Sequence, residues 1–95
     1  MLKGKERAYL KGLAMQLEPT VFIGKNELTE NILKEIEAYL NAHELVKVKI
    51  QESSELLPKD TANLVAEKLG AEFVQAIGRK FVLYRENKEN KQIFF

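Results

Sequence analysis

The sequence predicts an α/β fold: a single compact domain in the order helix-strand-helix-strand-helix-strand-strand, with a four-stranded mixed sheet. The chain has 95 residues, close to the usual size of one domain, and its 45% hydrophobic and 31% charged residues are typical of a folded protein. Helical connections between the first three strands favour parallel neighbours, whereas a two-residue turn before the last strand favours an antiparallel pair. The sheet is therefore predicted to be mixed, and its strand order stays open.

The first helix is predicted over residues 3–17 and the first strand over residues 20–23. Four apolar residues at the spacing i, i+3, i+4 and i+7 form one stripe of the helix: Leu10, Leu13, Ala14 and Leu17. A basic row beside this stripe is either a ligand-facing edge or ordinary solvated surface: Lys3, Arg7 and Lys11. Pro19 ends the helix, and the consecutive apolar residues of the strand predict that it is covered on both faces.

A polar turn, Gly24–Thr29, leads from this strand into a second helix predicted over residues 28–41. Free backbone N–H groups and the positive end of the helix dipole point outward at such a turn, so it is a natural anion site. The residues predicted to start the helix are Asn26 as its N-cap, with Glu27 and Glu30 as favourable acids in the first turn.

The second half of the chain predicts two more strands around a third helix and a hairpin. Residues 45–50 alternate between apolar and polar, which places Lys47 and Lys49 on one wet, basic face of a strand. A third helix is predicted to open at Pro58 and to stop at Gly70. Strands over residues 71–77 and 80–85 are joined by Gly78 and Arg79, so the hairpin is predicted to have a basic tip.

The sequence offers little for catalysis. It contains no cysteine, one histidine and one aspartate, and neither a phosphate-binding P-loop motif nor a dinucleotide-binding glycine motif occurs. His43 is interpreted as a residue of the helix C-terminus rather than as a ligand or a base. We therefore expect no enzyme activity, no metal site, no cofactor and no small-molecule substrate.

The two ends of the chain carry separate expectations. No apolar run is long enough to span a bilayer, and the N-terminus lacks the apolar core of a signal peptide, so we expect a cytoplasmic protein without membrane contact. The domain is predicted to cover residues 1–86, with residues 87–95 as a tail. Three apolar residues end the tail, Ile93, Phe94 and Phe95, and they either dock on the same domain or contact a partner.

Charge is segregated along the chain although the net charge is only +1. Basic side chains dominate residues 1–26, 47–50 and 78–85, and acidic side chains dominate residues 27–46 and 51–77. A basic face can therefore exist on a nearly neutral protein, where it would supply phosphate contacts without reading bases. The residues of this expected face, beside the turn's backbone amides, are Lys3, Arg7, Lys11, Lys25, Lys47, Lys49, Arg79, Lys80 and Arg85.

Several separated motifs, in this order, resemble the YhbY family, whose single domain is of the CRM type (chloroplast RNA splicing and ribosome maturation). They are Leu10-Lys11-Gly12-Leu13-Ala14, Pro19 and Val21, Ile23-Gly24-Lys25-Asn26 with Leu28-Thr29-Glu30, His43-Glu44-Leu45-Val46-Lys47-Val48-Lys49, and Ile77-Gly78 with Val82-Leu83-Tyr84-Arg85. The resemblance covers residues 1 to 86. It implies a fold similar to the C-terminal domain of bacterial translation initiation factor three, and binding of ribosomal RNA in the precursor of the large ribosomal subunit.

The resemblance also implies that a glycine-bounded loop contacts the RNA, which assigns Gly24, Lys25 and Asn26 to the site. At the family's second glycine position this chain has Glu27. Glycine there admits a positive φ and close approach of a phosphate, whereas glutamate adds bulk and a repulsive charge. The competing interpretation is that Glu27 is a helix first-turn acid whose side chain turns away. The alternative function is a protein-interaction module that uses the apolar tail.

Overall fold

The computed structural model describes residues 2–25 and 27–95, and it confirms the predicted order of helices and strands. The elements are α1 (Gly4–Met15), β1 (Val21–Ile23), α2 (Glu30–His43), β2 (Leu45–Ile50), α3 (Pro58–Leu69), β3 (Glu72–Ile77) and β4 (Lys80–Tyr84). Their bounds differ from the predicted ones by at most two residues. The fold is a single α/β domain around one mixed sheet.

The strands lie in the order β1-β2-β4-β3, with β1 parallel to β2 and with β4 antiparallel to both of its neighbours. The predicted hairpin is therefore present, but its second strand lies between β2 and β3, so these two parallel strands are not adjacent. Gly78 in the hairpin turn has φ +60°, a conformation that glycine adopts at little cost. As a result, the carboxyl ends of β1, β2 and β3 lie at one end of the sheet, together with the start of β4.

Each face of the sheet packs against its own helices. The main core lies between the sheet and the pair α2 and α3, with Phe81, Ile36 and Leu40 among its fully buried side chains. On the opposite face, α1 packs against β2 and β3 through Leu10 and Ala14. The α1 face is only partly covered, because a helix of 12 residues cannot span four strands over their whole length.

The prediction that β1 is covered on both faces is wrong. Val21 and Ile23 are buried, but Phe22 between them is 48% exposed, so the strand is covered on one face only. The consecutive apolar residues indicated a doubly covered strand. The prediction failed because α1 packs over β2 and β3 and leaves the edge strand β1 open on this face.

The start of α2 corrects a second prediction. The helix begins at Glu30, and its N-cap is Thr29, whose Oγ1 accepts a hydrogen bond from the Ile32 N–H at 3.2 Å. The predicted cap, Asn26, lies outside the described residues, and Glu27 precedes the helix instead of lying in its first turn. The boundaries of α3 agree with the sequence: Pro58 opens the helix, and Gly70 ends it with φ +64°.

The C-terminal segment is held to the domain by a buried carboxylate. Glu44, the left-handed C-cap of α2, is fully buried. Its Oε1 accepts hydrogen bonds from the N–H groups of Gln92 and Ile93 at 2.7 Å each, and its Oε2 accepts one from the N–H of Asn87 at 2.6 Å. Ile93 is buried in the second core with α1. Part of the predicted tail therefore docks on the same domain.

Candidate nucleic-acid interface

The turn after β1 lies at the carboxyl end of the sheet. The Glu27 N–H donates to the Gly24 carbonyl at 2.9 Å, so these two residues lie close together. The Gln51 N–H donates to the Ile23 carbonyl at 2.8 Å, so the turn lies beside the end of β2. Lys25 is exposed at the turn's centre, whereas its predicted neighbour in the site, Asn26, lies outside the described residues. This turn is called the β1–α2 turn below.

Glu27 takes the backbone conformation that a glycine would favour. Its φ is +62°, in the left-handed region, and the residue is exposed. The interpretation as a first-turn acid of the helix is wrong, because α2 begins three residues later. The second-glycine position of the resembled loop thus keeps its geometry here, although an L-residue in this region is strained by about 1–2 kcal/mol.

Two of the predicted contact residues, Lys47 and Arg79, bind backbone carbonyls of this protein. The Lys47 Nζ donates to the carbonyls of Ala14 and Leu17, at 3.0 and 3.1 Å. The two carbonyls lie at the C-terminal end of α1, which has no basic residue in its last turn. Lys47 therefore supplies the positive charge that stabilises a helix C-terminus. Arg79 donates from Nε to Ile50 at 3.3 Å, and from Nη2 to two carbonyls of the β2–α3 connection, Gln51 at 3.1 Å and Ser54 at 3.0 Å.

Arg85 and Arg7 also contact the protein. The Arg85 Nη1 donates to the Leu69 carbonyl at 2.8 Å, where α3 ends, and forms an ion pair with Glu37 at 3.1 Å. The Arg7 Nε donates to the Phe73 carbonyl at 3.3 Å, which ties α1 to β3. These bonds join elements of the fold, and they occupy only some of the five N–H groups of each guanidinium.

Lys49 and Lys80 lie side by side on the uncovered part of the α1 face. They are direct partners in the antiparallel pair of β2 and β4. Like charges at such positions, with Cβ atoms about 4.5–5.5 Å apart, destabilise a sheet. Within the described residues, neither ammonium group has a hydrogen-bond or ion-pair partner. An unfavourable cation pair without a partner in the described part of the fold makes this position a candidate anion site.

This pair is the centre of a row that crosses the whole sheet. Phe22 of β1 is the register partner of Lys49, and Ile77 of β3 is the register partner of Lys80. The order across the four strands is therefore Phe22, Lys49, Lys80 and Ile77, which we call the cross-sheet row. Both apolar members are solvent-accessible, Phe22 at 48% and Ile77 at 67%. The row and the β1–α2 turn lie at the same end of the sheet.

A groove adjoins the cross-sheet row. It has a volume of about 370 Å³ and lies between the end of α1 and the hairpin, with Met15, Gln75 and Val82 among its lining residues. Exposed acidic residues also lie at this end, Glu27 in the β1–α2 turn and Glu52 and Glu55 in the connection from β2 to α3, and both connections lead to helices of the opposite face. On the α1 face, the row itself carries two cations and no acid.

The remaining predicted contacts lie elsewhere. Lys3 precedes α1 at the opposite end of the sheet, where the Leu2 N–H donates to Glu72 at 3.2 Å. Lys11 lines a second groove along β3 with Arg7. Among the predicted contact residues that the structure describes, Lys25, Lys49 and Lys80 lie with Gly24 at the carboxyl end of the sheet. Lys47 and Arg79 line the groove with Lys80, but they donate to backbone carbonyls. The sequence analysis did not find Phe22 and Ile77. Their place in the site follows from the pairing of strands, and no local sequence pattern predicts that pairing.

Two further findings concern the described part of the chain, residues 2–25 and 27–95. None of its helices is both long and apolar enough to cross a membrane. Its histidine, aspartate and glutamate side chains form no group of three or more that could hold a metal ion. His43, the last residue of α2, is exposed and has its ring centroid 4.4 Å from that of Tyr39.

Comparison with known proteins finds a family whose model matches this chain. The model of the CRS1 / YhbY (CRM) domain matches residues 2–85. A Bacillus subtilis protein named "Probable RNA-binding protein YqeI" is 39% identical over 93 residues, which cover 98% of this chain and 97% of that protein. A Haemophilus influenzae protein named "RNA-binding protein" is 43% identical over 90 residues, or 95% and 91% of the two chains.

A solved structure shows the same fold. The chain is similar to the solution structure of the hypothetical protein SAV1595 from Staphylococcus aureus, with a TM-score of 0.72 and 40% sequence identity. The similarity covers 96% of this chain and 95% of that one. With so little of either chain outside the match, the two proteins share the fold as a whole.

Proposed function

The chain belongs to the CRS1 / YhbY (CRM) domain family, and from this premise we propose that it is a non-catalytic RNA-binding protein. The relatives named as RNA-binding proteins match it over nearly their whole length, which supports RNA as the partner of this chain also. The observation that carries the proposal is the meeting of Lys25, Lys49 and Lys80 with the β1–α2 turn at one end of the sheet.

The chemistry of this end suits an RNA backbone. Three ammonium groups supply charge for phosphates, and short glycine-bounded loops of RNA-binding domains contact the sugar-phosphate backbone. A Cβ built on Gly24 would lie 3.3 Å from the Gln51 Oε1, the end of an exposed side chain, and would meet nothing else within 4 Å except that side chain's Cδ. The glycine therefore leaves the backbone open on its outer side, where a phosphate can approach.

We further propose that the RNA is ribosomal RNA of the large-subunit precursor and that binding serves ribosome assembly in the cytoplasm. The resemblance of the sequence motifs to the YhbY family supports this target. The main contacts are made through Lys25, Lys49, Lys80 and the turn. Lys3, Arg7 and Lys11 would reach a longer RNA that extends along α1, while Lys47 and Arg79 support the site from within the fold. Arg85 lies at the opposite end of the sheet, where it joins α2 to α3.

Filter binding of a large-subunit precursor RNA fragment at increasing salt tests the proposal. The logarithm of the association constant should fall linearly with the logarithm of the salt concentration, and the slope should become shallower by about 0.7–0.9 for each phosphate that a variant no longer neutralises. We expect Lys25→Gln, Lys49→Gln and Lys80→Gln to lower the slope by about this amount each. Lys88→Gln serves as the control, since Lys88 is an exposed lysine of the C-terminal segment, outside the row and the turn.

Two results would overturn the proposal. One is the absence of binding to any RNA at low salt. The other is binding whose slope is unchanged in the triple variant of Lys25, Lys49 and Lys80. Equal affinity for an unrelated RNA of the same length would keep RNA binding and remove the ribosomal target. Co-sedimentation of the protein with precursor particles of the large subunit then checks the role in assembly.

The protein-interaction alternative has less support. Ile93 is buried in the domain, and Phe95 has its ring centroid 5.9 Å from that of Tyr9 and 5.8 Å from that of Tyr84. Phe94 is 66% exposed, with the Lys91 ammonium 5.6 Å from its ring centroid, and Phe95 is 54% exposed. Ile93 and Phe95 thus contribute to this domain's own packing, whereas Phe94 stays largely exposed.

A further inference from the structure

The cross-sheet row has a composition that phosphate binding alone does not require. Lys49 and Lys80 in its centre suit a polyanion, but the exposed side chains of Phe22 and Ile77 at its ends gain nothing from phosphates. Exposed large apolar side chains beside a cationic surface offer contact to an apolar part of a ligand. The ligand of this row should therefore present both negative charge and flat apolar surface.

An unpaired nucleotide has this combination. In a duplex the faces of the bases are stacked on one another, and a protein meets the phosphates and the base edges. In an unpaired segment each base has a free face that can stack on an aromatic ring, beside its own phosphate. Phe22 is directly paired with a lysine, so one nucleotide could use both side chains at once.

The spacing of the strands gives the length of the cross-sheet row. Neighbouring strands lie about 4.7–4.9 Å apart, so the row extends over about 14 Å from β1 to β3. Phe22 also lies two residues before Gly24, at the strand end that enters the β1–α2 turn. The row therefore begins at the strand end beside the turn, within reach of the next nucleotides of a backbone held there.

We propose that the cross-sheet row binds an unpaired RNA segment, with a base stacked on the Phe22 ring and phosphates at Lys49 and Lys80. Ile77 packs against the sugar or base of a later nucleotide. This inference rests on the proposed RNA binding and specifies which part of the RNA the site takes. Structured RNA is held by the turn, and the single strand that leaves it lies on the sheet.

The test compares one RNA hairpin with the same hairpin carrying a single-stranded extension, each measured with wild-type protein and with Phe22→Leu. Leucine keeps an apolar residue of β1 but removes the ring, and circular dichroism checks that the variant is folded. Base stacking on an aromatic side chain corresponds to about tenfold in affinity at its typical strength. We expect Phe22→Leu to weaken the extended hairpin about tenfold and to leave both the blunt hairpin and the salt slope unchanged.

A fluorescent base analogue, 2-aminopurine, placed in the extension reports stacking directly. Its fluorescence should fall on binding to the wild-type protein and should fall much less with Phe22→Leu. Phe94→Leu is the matched control, because Phe94 is exposed to 66% but belongs to the C-terminal segment. It should leave both affinities and the fluorescence change at wild-type values.

Failure of this inference is distinguishable from failure of the proposed function. If wild-type protein binds both hairpins equally, and Lys49→Gln lowers the salt slope for both, RNA binding stands and the single-strand contact is refuted. Equal weakening of both hairpins by Phe22→Leu refutes it as well. Binding to neither hairpin overturns both proposals.

Discussion

The buried carboxylate of Glu44 should be one of the strongest single determinants of stability in this domain. It accepts three backbone hydrogen bonds of 2.6–2.7 Å from a segment that is more than 40 residues later in the chain. Burial alone raises the pKa of Glu44, but the N–H groups of Asn87, Gln92 and Ile93, with the charge of Lys91, outweigh it and hold this pKa below the ordinary value. Glu44→Gln is the informative change, because it keeps the size of the side chain and leaves the strain at φ +66° unaltered.

The magnitude follows from the three hydrogen bonds. The glutamine oxygen can replace Oε1 and keep the bonds to Gln92 and Ile93, although these become neutral and weaker. The glutamine NH₂ group then faces the N–H of Asn87, so two donors meet without an acceptor, at a cost of about 1–3 kcal/mol. Adding the weakening of the other two bonds, we expect the free energy of unfolding to fall by about 2–4 kcal/mol. Total stability for such a domain is about 5–15 kcal/mol, so this is a large share.

Urea unfolding followed by far-ultraviolet circular dichroism measures the loss, with Glu89→Gln as the control. Glu89 is exposed in the same segment, so its substitution should stay within about 0.5 kcal/mol of wild type. Hydrogen exchange should show the greatest acceleration at the amides of Asn87, Gln92 and Ile93. A Glu44→Gln protein as stable as Glu89→Gln would refute the reasoning, as would faster exchange spread evenly over the domain.

The same carboxylate gives a pH dependence whose sign is fixed. Because the pKa of folded Glu44 is lowered, its contribution is fully present above the unfolded value of about 4.3 and is lost as the pH falls through the folded value. Wild-type protein should therefore lose stability on acidification below about pH 4.3, and the difference from Glu44→Gln should shrink over the same range. An unchanged difference down to about pH 2, well below the unfolded pKa, would contradict the assignment.

Further predictions concern the β1–α2 turn and the two lysines of β2. Glu27→Gly should raise the free energy of unfolding by about 0.5–1 kcal/mol, because the relief of left-handed strain exceeds the extra freedom of glycine in the unfolded chain. Glu27→Gly should also tighten RNA binding. Glu27→Gln is the control, because it removes the charge without changing the backbone preference. Unchanged affinity with Glu27→Gly would show that this position does not contact RNA. Lys47→Met should lower stability by about 1–2 kcal/mol, because its hydrogen bonds to the end of α1 are removed, at an unchanged salt slope. Lys49→Met should do the reverse: lower the salt slope and leave stability equal or slightly higher, since it removes a like-charge pair.

The fold was predictable where short-range patterns decide it. Pro58 and Gly70 mark the ends of α3 through restrictions that each imposes on its own backbone, and the alternation in β2 follows from a two-residue period. The strand order was not predictable, because it depends on β4 inserting between β2 and β3. The exposure of Phe22 depends on that order and on which strands α1 covers, so it could not be predicted from the apolar residues around it.

The site was predictable only as a set of residue types. All nine basic residues of the expected face looked equivalent in the sequence, yet Lys47 and Arg79 are bound to backbone carbonyls in the structure. Tertiary packing decides whether a lysine binds a free helix carbonyl or lies beside another lysine. Lys47 and Lys49 differ in this way although they are only two residues apart on the same strand. Glu44 was hidden for the same reason, because its three donors come from the segment that was expected to be a tail.

The contrast between Lys47 and Lys49 shows how one strand can serve both the fold and the ligand. Both side chains point to the α1 face, but α1 ends above Lys47, and its free carbonyls bind that ammonium group. Beyond the end of the helix, the next position of β2 on this face is Lys49, which has no such partner and faces Lys80. A helix one or two turns longer would cover Phe22 or Lys49 and replace the exposed row with core. The termination of α1 near Met15 therefore creates the surface on which the proposed RNA contacts depend.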